Sequence, residues 1–152
     1  MNRYLVLAGF IILCLAVAGV AGYVTAGAVT TWFPTLVKPA FNPPSWVFGP
    51  VWTTLYVMMA VAAWLVWLKP GSRSALNLFF LQLALNFAWS LLFFGLHSPA
   101  LALIDIVALW CAILTTIFAF GQHSSVAAWL MVPYISWVSF ATILNASIWW
   151  LN

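Results

Sequence analysis

Apolar residues occur along this chain in long blocks that have no polar face. The block at residues 5–18, for example, is hydrophobic on every side of a helix, which is typical of a helix surrounded by lipid or by other apolar helices. A membrane-spanning β-strand would instead alternate apolar and polar residues. Because a spanning helix needs about 20 residues, the pattern predicts five of them, at about residues 5–28, 46–68, 75–96, 100–121 and 125–151.

Short connectors with helix-breaking or charged residues separate these blocks. Residues 69–73 are Lys-Pro-Gly-Ser-Arg, residues 97–99 are His-Ser-Pro, and residues 122–124 are Gln-His-Ser. Residues 1–152 are therefore predicted to form one all-α membrane domain, a five-helix transmembrane bundle. A cleaved signal peptide is the alternative for the first block, but its apolar run exceeds the roughly 7–15 residues of a signal-peptide core.

The near absence of charge supports a location in lipid. The chain has four basic residues and one acidic residue, and 67% of its residues are hydrophobic, whereas about a quarter of the residues of a soluble domain are charged. We therefore expect a multi-pass integral membrane protein, with membrane lipid as a partner and no nucleic acid. Three of the basic residues fall on the side of the N-terminus, which the positive-inside rule places in the cytoplasm.

The connector between the first two helices is predicted to be stiff. Residues 32–46 contain Pro34, Pro39, Pro43 and Pro44, and each proline fixes its own φ angle and restricts the residue before it. The remaining residues are mostly apolar or aromatic. We interpret this connector as a lid over a pocket between the helices, and the alternative is an aromatic belt at the membrane surface.

A few polar residues fall inside the predicted helices. Gln82 and Asn86 are one turn apart on a face that also carries Trp89, and carboxamides in a membrane are costly unless they are hydrogen-bonded. They are expected to contact either another helix or a ligand. Asp105 is the single acid, and an acid inside a membrane is a candidate functional residue. Its alternative role is to hold the lid by pairing with a connector backbone N–H or with Lys38, the one cation on its side of the bundle. Lys38 is expected to pair with Asp105, directly or through water, or with a ligand carboxylate.

Other kinds of chemistry have no candidates in the sequence. His97 and His123 are isolated in different connectors, and Cys14 and Cys111 fall in different helices, so no metal site is expected. Ser–His–acid sets, paired carboxylates and phosphate-binding glycine loops are also missing from the sequence. In the fifth helix, Pro133 is expected to cause a kink that admits a flat ligand.

At these positions the chain resembles the tryptophan-rich sensory protein/translocator protein family, also called the peripheral-type benzodiazepine receptor family. The matching residues are spread over the whole chain: Trp32-Phe33, Lys38-Pro39, Asn42-Pro43-Pro44, Trp46, Trp52, Leu55-Tyr56, Leu85 to Trp89, Asp105, Pro133-Tyr134, Trp137, Phe140-Ala141 and Leu144-Asn145.

The resemblance implies a tetrapyrrole-binding sensor or regulator in a bacterial membrane. Implied ligands are protoporphyrin IX and benzodiazepine-site drugs, and no cofactor is required. Light-dependent degradation of the porphyrin would use Trp52 and Trp137. The implied ligand-binding residues are Phe33, Pro43, Trp52, Asn86, Trp89, Trp137, Ala141 and Leu144.

The resemblance also implies a homodimer, for which Ala84 and Ala88 on the third helix are the favoured contact and a stripe at Ala18, Gly22 and Ala26 the alternative. A transporter of porphyrins or other apolar ligands is the alternative function. Sterol recognition of the animal type is not expected, because no Lys or Arg follows Tyr134.

Overall fold

The computed structural model describes residues 2–152, which form five long α-helices without a β-strand. All five are long and apolar enough to cross a membrane, so the predicted five-helix membrane bundle and the multi-pass location are confirmed. The helices are α1 (Arg3–Thr31), α2 (Phe48–Trp67), α3 (Arg73–Ser90), α4 (Pro99–Gly121) and α5 (Ser125–Leu151).

Local capping chemistry sets several of the helix ends. The Ser98 side chain accepts a hydrogen bond from the N–H of Leu101, and Pro99 opens α4, where a missing N–H costs nothing. Ser124 accepts a bond from the N–H of Ala127 in the same way at the start of α5. α5 then continues through Pro133 as one helix, so this proline does not end it.

Two irregular segments lie on the side of the bundle where α1, α3 and α5 end. α3 continues as a π-helical turn over Leu91–Gly95. The first connector, residues 32–47, contains two 3₁₀ turns at Phe33–Thr35 and Ser45–Val47. We call this connector the lid, and this side of the bundle the lid side.

Small residues in α2 allow the helices to pack closely. Ala60, Ala62 and Ala63 are fully buried in the main core, and residues without a long side chain let neighbouring helix backbones approach. α4 packs mainly against α5 and α3, while α1 packs mainly against α2. Large apolar side chains such as Ile12 and Ile104 face outward, where the bilayer is their solvent.

Candidate functional site

A cavity of about 310 Å³ lies between α1, α2 and α3, with Phe33 and Ser45 of the lid in its wall. We call it the main cavity. Its volume falls at the lower end of the range of about 300–1,000 Å³ that is usual for ligand pockets. The helices contribute Ala18, Ala21, Gly22, Thr25, Val29, Phe48, Gly49, Trp52, Thr53, Tyr56, Asn86, Trp89, Ser90 and Phe94.

A second space of about 30 Å³, the side cavity, lies where α2, α3 and α5 meet. Room for one water corresponds to about 10–15 Å³, so the side cavity is much smaller than the main cavity. Trp137, Ala141 and Leu144 line it and do not line the main cavity. The sequence-based expectation of a pocket against α5 therefore describes the small space, and the larger space is against α1.

An aromatic partition separates the two cavities, because five aromatic residues line both. The ring of Trp52 lies 5.9 Å from that of Tyr56 and 6.2 Å from that of Tyr134. The ring of Phe48 meets that of Trp137 edge to face at 5.9 Å. The members of the partition are Phe33, Phe48, Trp52, Trp89 and Phe94.

Asn86 belongs to a buried hydrogen-bond network that joins α2, α3 and α5. Its Oδ1 accepts from the hydroxyl of Tyr56 at 2.5 Å, and its Nδ2 donates to the hydroxyl of Tyr134 at 2.7 Å. The Tyr134 hydroxyl donates in turn to Oε1 of Gln82 at 2.8 Å. The carboxamides therefore contact other helices, which is one of the two expectations, and Asn86 also lines the main cavity.

Trp89 is fixed in place by α5. Its indole N–H donates to Oδ1 of Asn145 at 3.0 Å, and Nδ2 of Asn145 donates to the carbonyl oxygen of Pro99 at 2.8 Å. The indole nitrogen of Trp137, in contrast, is buried without a hydrogen-bond partner. An unpaired buried donor is costly, so this N–H is available to an acceptor in the side cavity.

The main cavity is chemically apolar although hydroxyl groups line it. The Thr25 hydroxyl donates to the carbonyl oxygen of Ala21 at 2.8 Å, and that of Thr53 donates to the carbonyl oxygen of Gly49 at 2.9 Å. Each bond stays within its own helix. The faces presented to a ligand are mainly methyl groups and aromatic rings, and the hydroxyls of Ser45 and Ser90 are further polar groups of the wall.

Lys38 does not hold the lid through the ion pair that the sequence predicts. Nζ of Lys38 donates to the carbonyl oxygens of Phe33 at 2.9 Å and Leu36 at 2.8 Å, and it lies 5.0 Å from the centre of the Phe33 ring. The predicted direct pair with Asp105 is not formed, since Oδ2 of Asp105 has no hydrogen-bond partner. The reason is local, because the 3₁₀ turn Phe33–Thr35 brings the carbonyl oxygen of its first residue, Phe33, and that of Leu36, just after the turn, within reach of Lys38.

The remaining candidate residues lie away from both cavities. Pro43 is part of the lid but lines neither space, as is also the case for Lys38 and Asp105. The ring of His97 stacks on that of Trp32 at 4.5 Å, at the start of the lid. Within residues 2–152, no group of three or more His, Cys, Asp or Glu side chains comes together.

Sequence comparison agrees with this arrangement. The model of the TspO/MBR family matches residues 10–151. This chain belongs to the TspO/MBR family. It is 46% identical to the tryptophan-rich protein TspO of Chlorobaculum tepidum, over 99% of this chain and 98% of that protein.

Other TspO/MBR relatives extend from bacteria to animals. The chain is 42% identical to the tryptophan-rich sensory protein of Cereibacter sphaeroides, over 75% of this chain and 72% of the relative. It is also 42% identical to the human translocator protein, over 78% of this chain and 73% of that protein. Membership of the family therefore rests on similarity along most of the sequence.

Sequence reasoning missed the contribution of α1 to the TspO/MBR site. Ala18, Gly22 and Thr25 line the main cavity, but a stripe of small residues also predicts close helix packing, and the pattern does not separate the two uses. Phe48 was missed as well, and Asn145 was named only as a residue that matches the family. The sequence around them does not indicate that Phe48 would form part of a partition or that Asn145 would hold Trp89.

Proposed function

We propose that this TspO/MBR protein binds a tetrapyrrole such as protoporphyrin IX inside the membrane and acts as a sensor or regulator. The observation that carries the proposal is the apolar main cavity with flat aromatic rings on the wall opposite α1. Aromatic rings favour offset stacking on other flat π-systems. Benzodiazepine-site drugs, which are also aromatic and apolar, belong to the same proposal.

The aromatic partition gives the site a way to accept a ligand larger than the main cavity. Trp89 is held by Asn145, whereas Trp52 is held by ring contacts at 5.9 and 6.2 Å. Rotation of Trp52 would join the two cavities and bring a ligand into contact with Trp137. A porphyrin then stacks between indole rings from α2 and α5.

The carboxylates of a porphyrin belong near the membrane surface. Lys38 is the one Lys or Arg in the lid, and its ammonium group currently satisfies backbone carbonyls. A ligand carboxylate is a stronger acceptor than a neutral carbonyl. Lys38 is therefore the proposed anchor for one carboxylate, with the lid adjusting around it.

Light-dependent degradation of the porphyrin is the proposed chemistry. An excited porphyrin and dissolved oxygen are the reactants, and Trp52 and Trp137 are the proposed oxidisable side chains among the three tryptophans that border the side cavity, of which Trp89 is the third. The placement of Trp52 and Trp137 on opposite elements lets both contact one flat ligand. Trp52 also borders the main cavity, as does Trp89, so a ligand arriving there would meet both of these indoles.

Titration of the detergent-solubilised protein with protoporphyrin IX, followed by quenching of tryptophan fluorescence, tests the binding proposal. Trp52→Ala should weaken binding by about 1–3 kcal/mol, by analogy with base–aromatic stacking. Trp150→Ala is the matched control, because Trp150 is 82% exposed and lines neither cavity. Quenching that does not saturate, or that both variants reduce equally, would contradict binding in the main cavity.

A further inference from the structure

The middle of the lid is attached to α5 by a reciprocal pair of hydrogen bonds. The N–H of Val37 donates to Oδ1 of Asn152 at 3.0 Å, and Nδ2 of Asn152 donates to the carbonyl oxygen of Val37 at 3.0 Å. Nδ2 also donates to the carbonyl oxygen of Ile148 at 2.8 Å, which orients the amide from α5. The carboxamide thus pairs with the backbone N–H and C=O of Val37 in the way that two directly opposed residues pair in an antiparallel sheet.

These bonds are unusual among those of the lid. The other backbone bonds of the lid are local, such as Leu36 N–H to the Phe33 carbonyl and Asn42 N–H to the Pro39 carbonyl. Lys38 also bonds only within the lid. Within the described residues, Asn152 supplies the only hydrogen bonds that join residues 35–44 to another element.

We propose that Asn152 is a clasp that holds the lid closed, and that its release is the step that lets a ligand pass under the lid. Phe33 of the lid lines both cavities, so movement of the lid changes the wall of each. Both bonds of the pair are exposed, and such bonds open with a small free-energy cost. The same helix that carries the clasp also carries Trp137, Ala141 and Leu144 of the side cavity.

A carboxamide is the chemical group that suits this position. It donates one hydrogen bond and accepts another, as the C=O and the N–H of Val37 require. A carboxylate at the same position keeps an acceptor for the Val37 N–H but donates nothing, and it would face the carbonyl oxygens of Val37 and Ile148. An aliphatic side chain keeps neither bond. The carboxamide, the carboxylate and the aliphatic side chain should therefore hold the lid with decreasing strength.

Amide hydrogen exchange of the ligand-free protein in detergent tests the clasp without any ligand. Asn152→Leu should speed exchange at Val37 and its lid neighbours by about tenfold, the factor that corresponds to losing two ordinary hydrogen bonds. Asn152→Asp should give a smaller increase. Gln122→Leu is the control, because Gln122 is an exposed carboxamide at the opposite side of the bundle. Lid exchange at the wild-type rate in Asn152→Leu would overturn the clasp.

Stopped-flow binding of protoporphyrin IX tests whether the clasp controls access, and this arm rests on the proposed function. Asn152→Leu should raise the association and dissociation rate constants together, because a gate speeds movement in both directions while a contact residue changes mainly dissociation. Faster lid exchange with unchanged rate constants would overturn the role in access. Absence of porphyrin binding by the wild-type protein would overturn the proposed function and this role in access, while the exchange measurement would still decide the clasp.

Discussion

The ammonium group of Lys38 donates to the carbonyl oxygen of Phe33 at 2.9 Å and lies 5.0 Å from the centre of the Phe33 ring. One side chain therefore holds both the backbone and the ring of a residue that lines the main and the side cavity. The charge that the sequence places in the lid stabilises the shape of the lid itself.

Replacing Lys38 should loosen the lid. Lys38→Met removes charged hydrogen bonds to the carbonyls of Phe33 and Leu36, and bonds to charged groups contribute about 1.5–3 kcal/mol when they are shielded from water. Because these bonds are only partly buried, we expect a smaller effect, seen as faster proteolysis of the lid and weaker porphyrin binding.

Two further variants complete that test. Asp105→Asn should leave the lid unchanged, since Asp105 is not paired with Lys38. Lys69→Met, which removes a cation outside the lid, controls for net charge. A lid that loosens in Asp105→Asn but not in Lys38→Met would show that the carbonyl contacts of Lys38 are incidental.

Removing the Tyr134 hydroxyl should destabilise the bundle. Tyr134→Phe leaves Nδ2 of Asn86 and Oε1 of Gln82 without their partner, and the expected loss is about 1–2 kcal/mol. Thermal unfolding in detergent measures it. Tyr23→Phe is the control, because Tyr23 is 86% exposed. Equal unfolding temperatures for the two variants would argue against a stabilising network.

Filling the main cavity from α1 should block ligand binding. A side chain added at Gly22 meets no atom within 4 Å, and Gly22 lines the cavity, so Gly22→Leu should place its side chain where the ligand would lie. Affinity for protoporphyrin IX should fall by about tenfold or more, which is 1.4 kcal/mol or more. Gly19→Leu also meets no atom within 4 Å but lies outside the cavity wall. Undiminished affinity in Gly22→Leu would place the ligand elsewhere.

The proposed photochemical role of Trp52 and Trp137 can be tested separately from binding. Trp→Phe keeps an aromatic ring but removes the more easily oxidised indole. The double variant Trp52→Phe/Trp137→Phe should therefore retain much of the binding and lose light-driven loss of porphyrin absorbance. A dark sample and an illuminated sample without protein are the controls. Bleaching by the double variant at the wild-type rate would assign these tryptophans to packing alone.

We expect the protein to be a homodimer through α3. Ala84 is exposed on the outer face of α3, and Ala88 is partly exposed one turn later. The alternative stripe on α1 is less suitable, because Ala18 and Gly22 face the main cavity. Replacing Ala84 and Ala88 with Leu should yield monomer in a crosslinking assay. A dimer that persists in this variant would remove this surface from consideration.

The existence of the helices was predictable because each depends on a long apolar block and on local capping. Ser98-Pro99 and Ser124 mark the starts of α4 and α5 in the sequence, and the structure uses them as caps. α1 begins two residues before the predicted start and ends three residues after the predicted end, at Thr31. The sequence there lacks a strong stop signal before the prolines of the lid.

The partners of the polar groups were less predictable, because they depend on how helices distant in sequence are placed. That Asn86 faces inward followed from the cost of burying a carboxamide, but its bonds to Tyr56 and Tyr134 depend on the positions of α2 and α5. Lys38 shows the opposite case. A long-range ion pair was expected, whereas carbonyls two to five residues away are its acceptors.

The hydroxyls of Thr25 and Thr53 donate within their own helices, and this limits how the proposed site could select among molecules. With these two donors occupied, a ligand in the main cavity would meet few directional groups besides the hydroxyls of Ser45 and Ser90. Discrimination then depends on thickness and planarity, so unrelated compounds of similar outline should compete with one another. Such a site would bind many flat molecules. The molecule that occupies it in the cell would then be the one that is most abundant in the membrane.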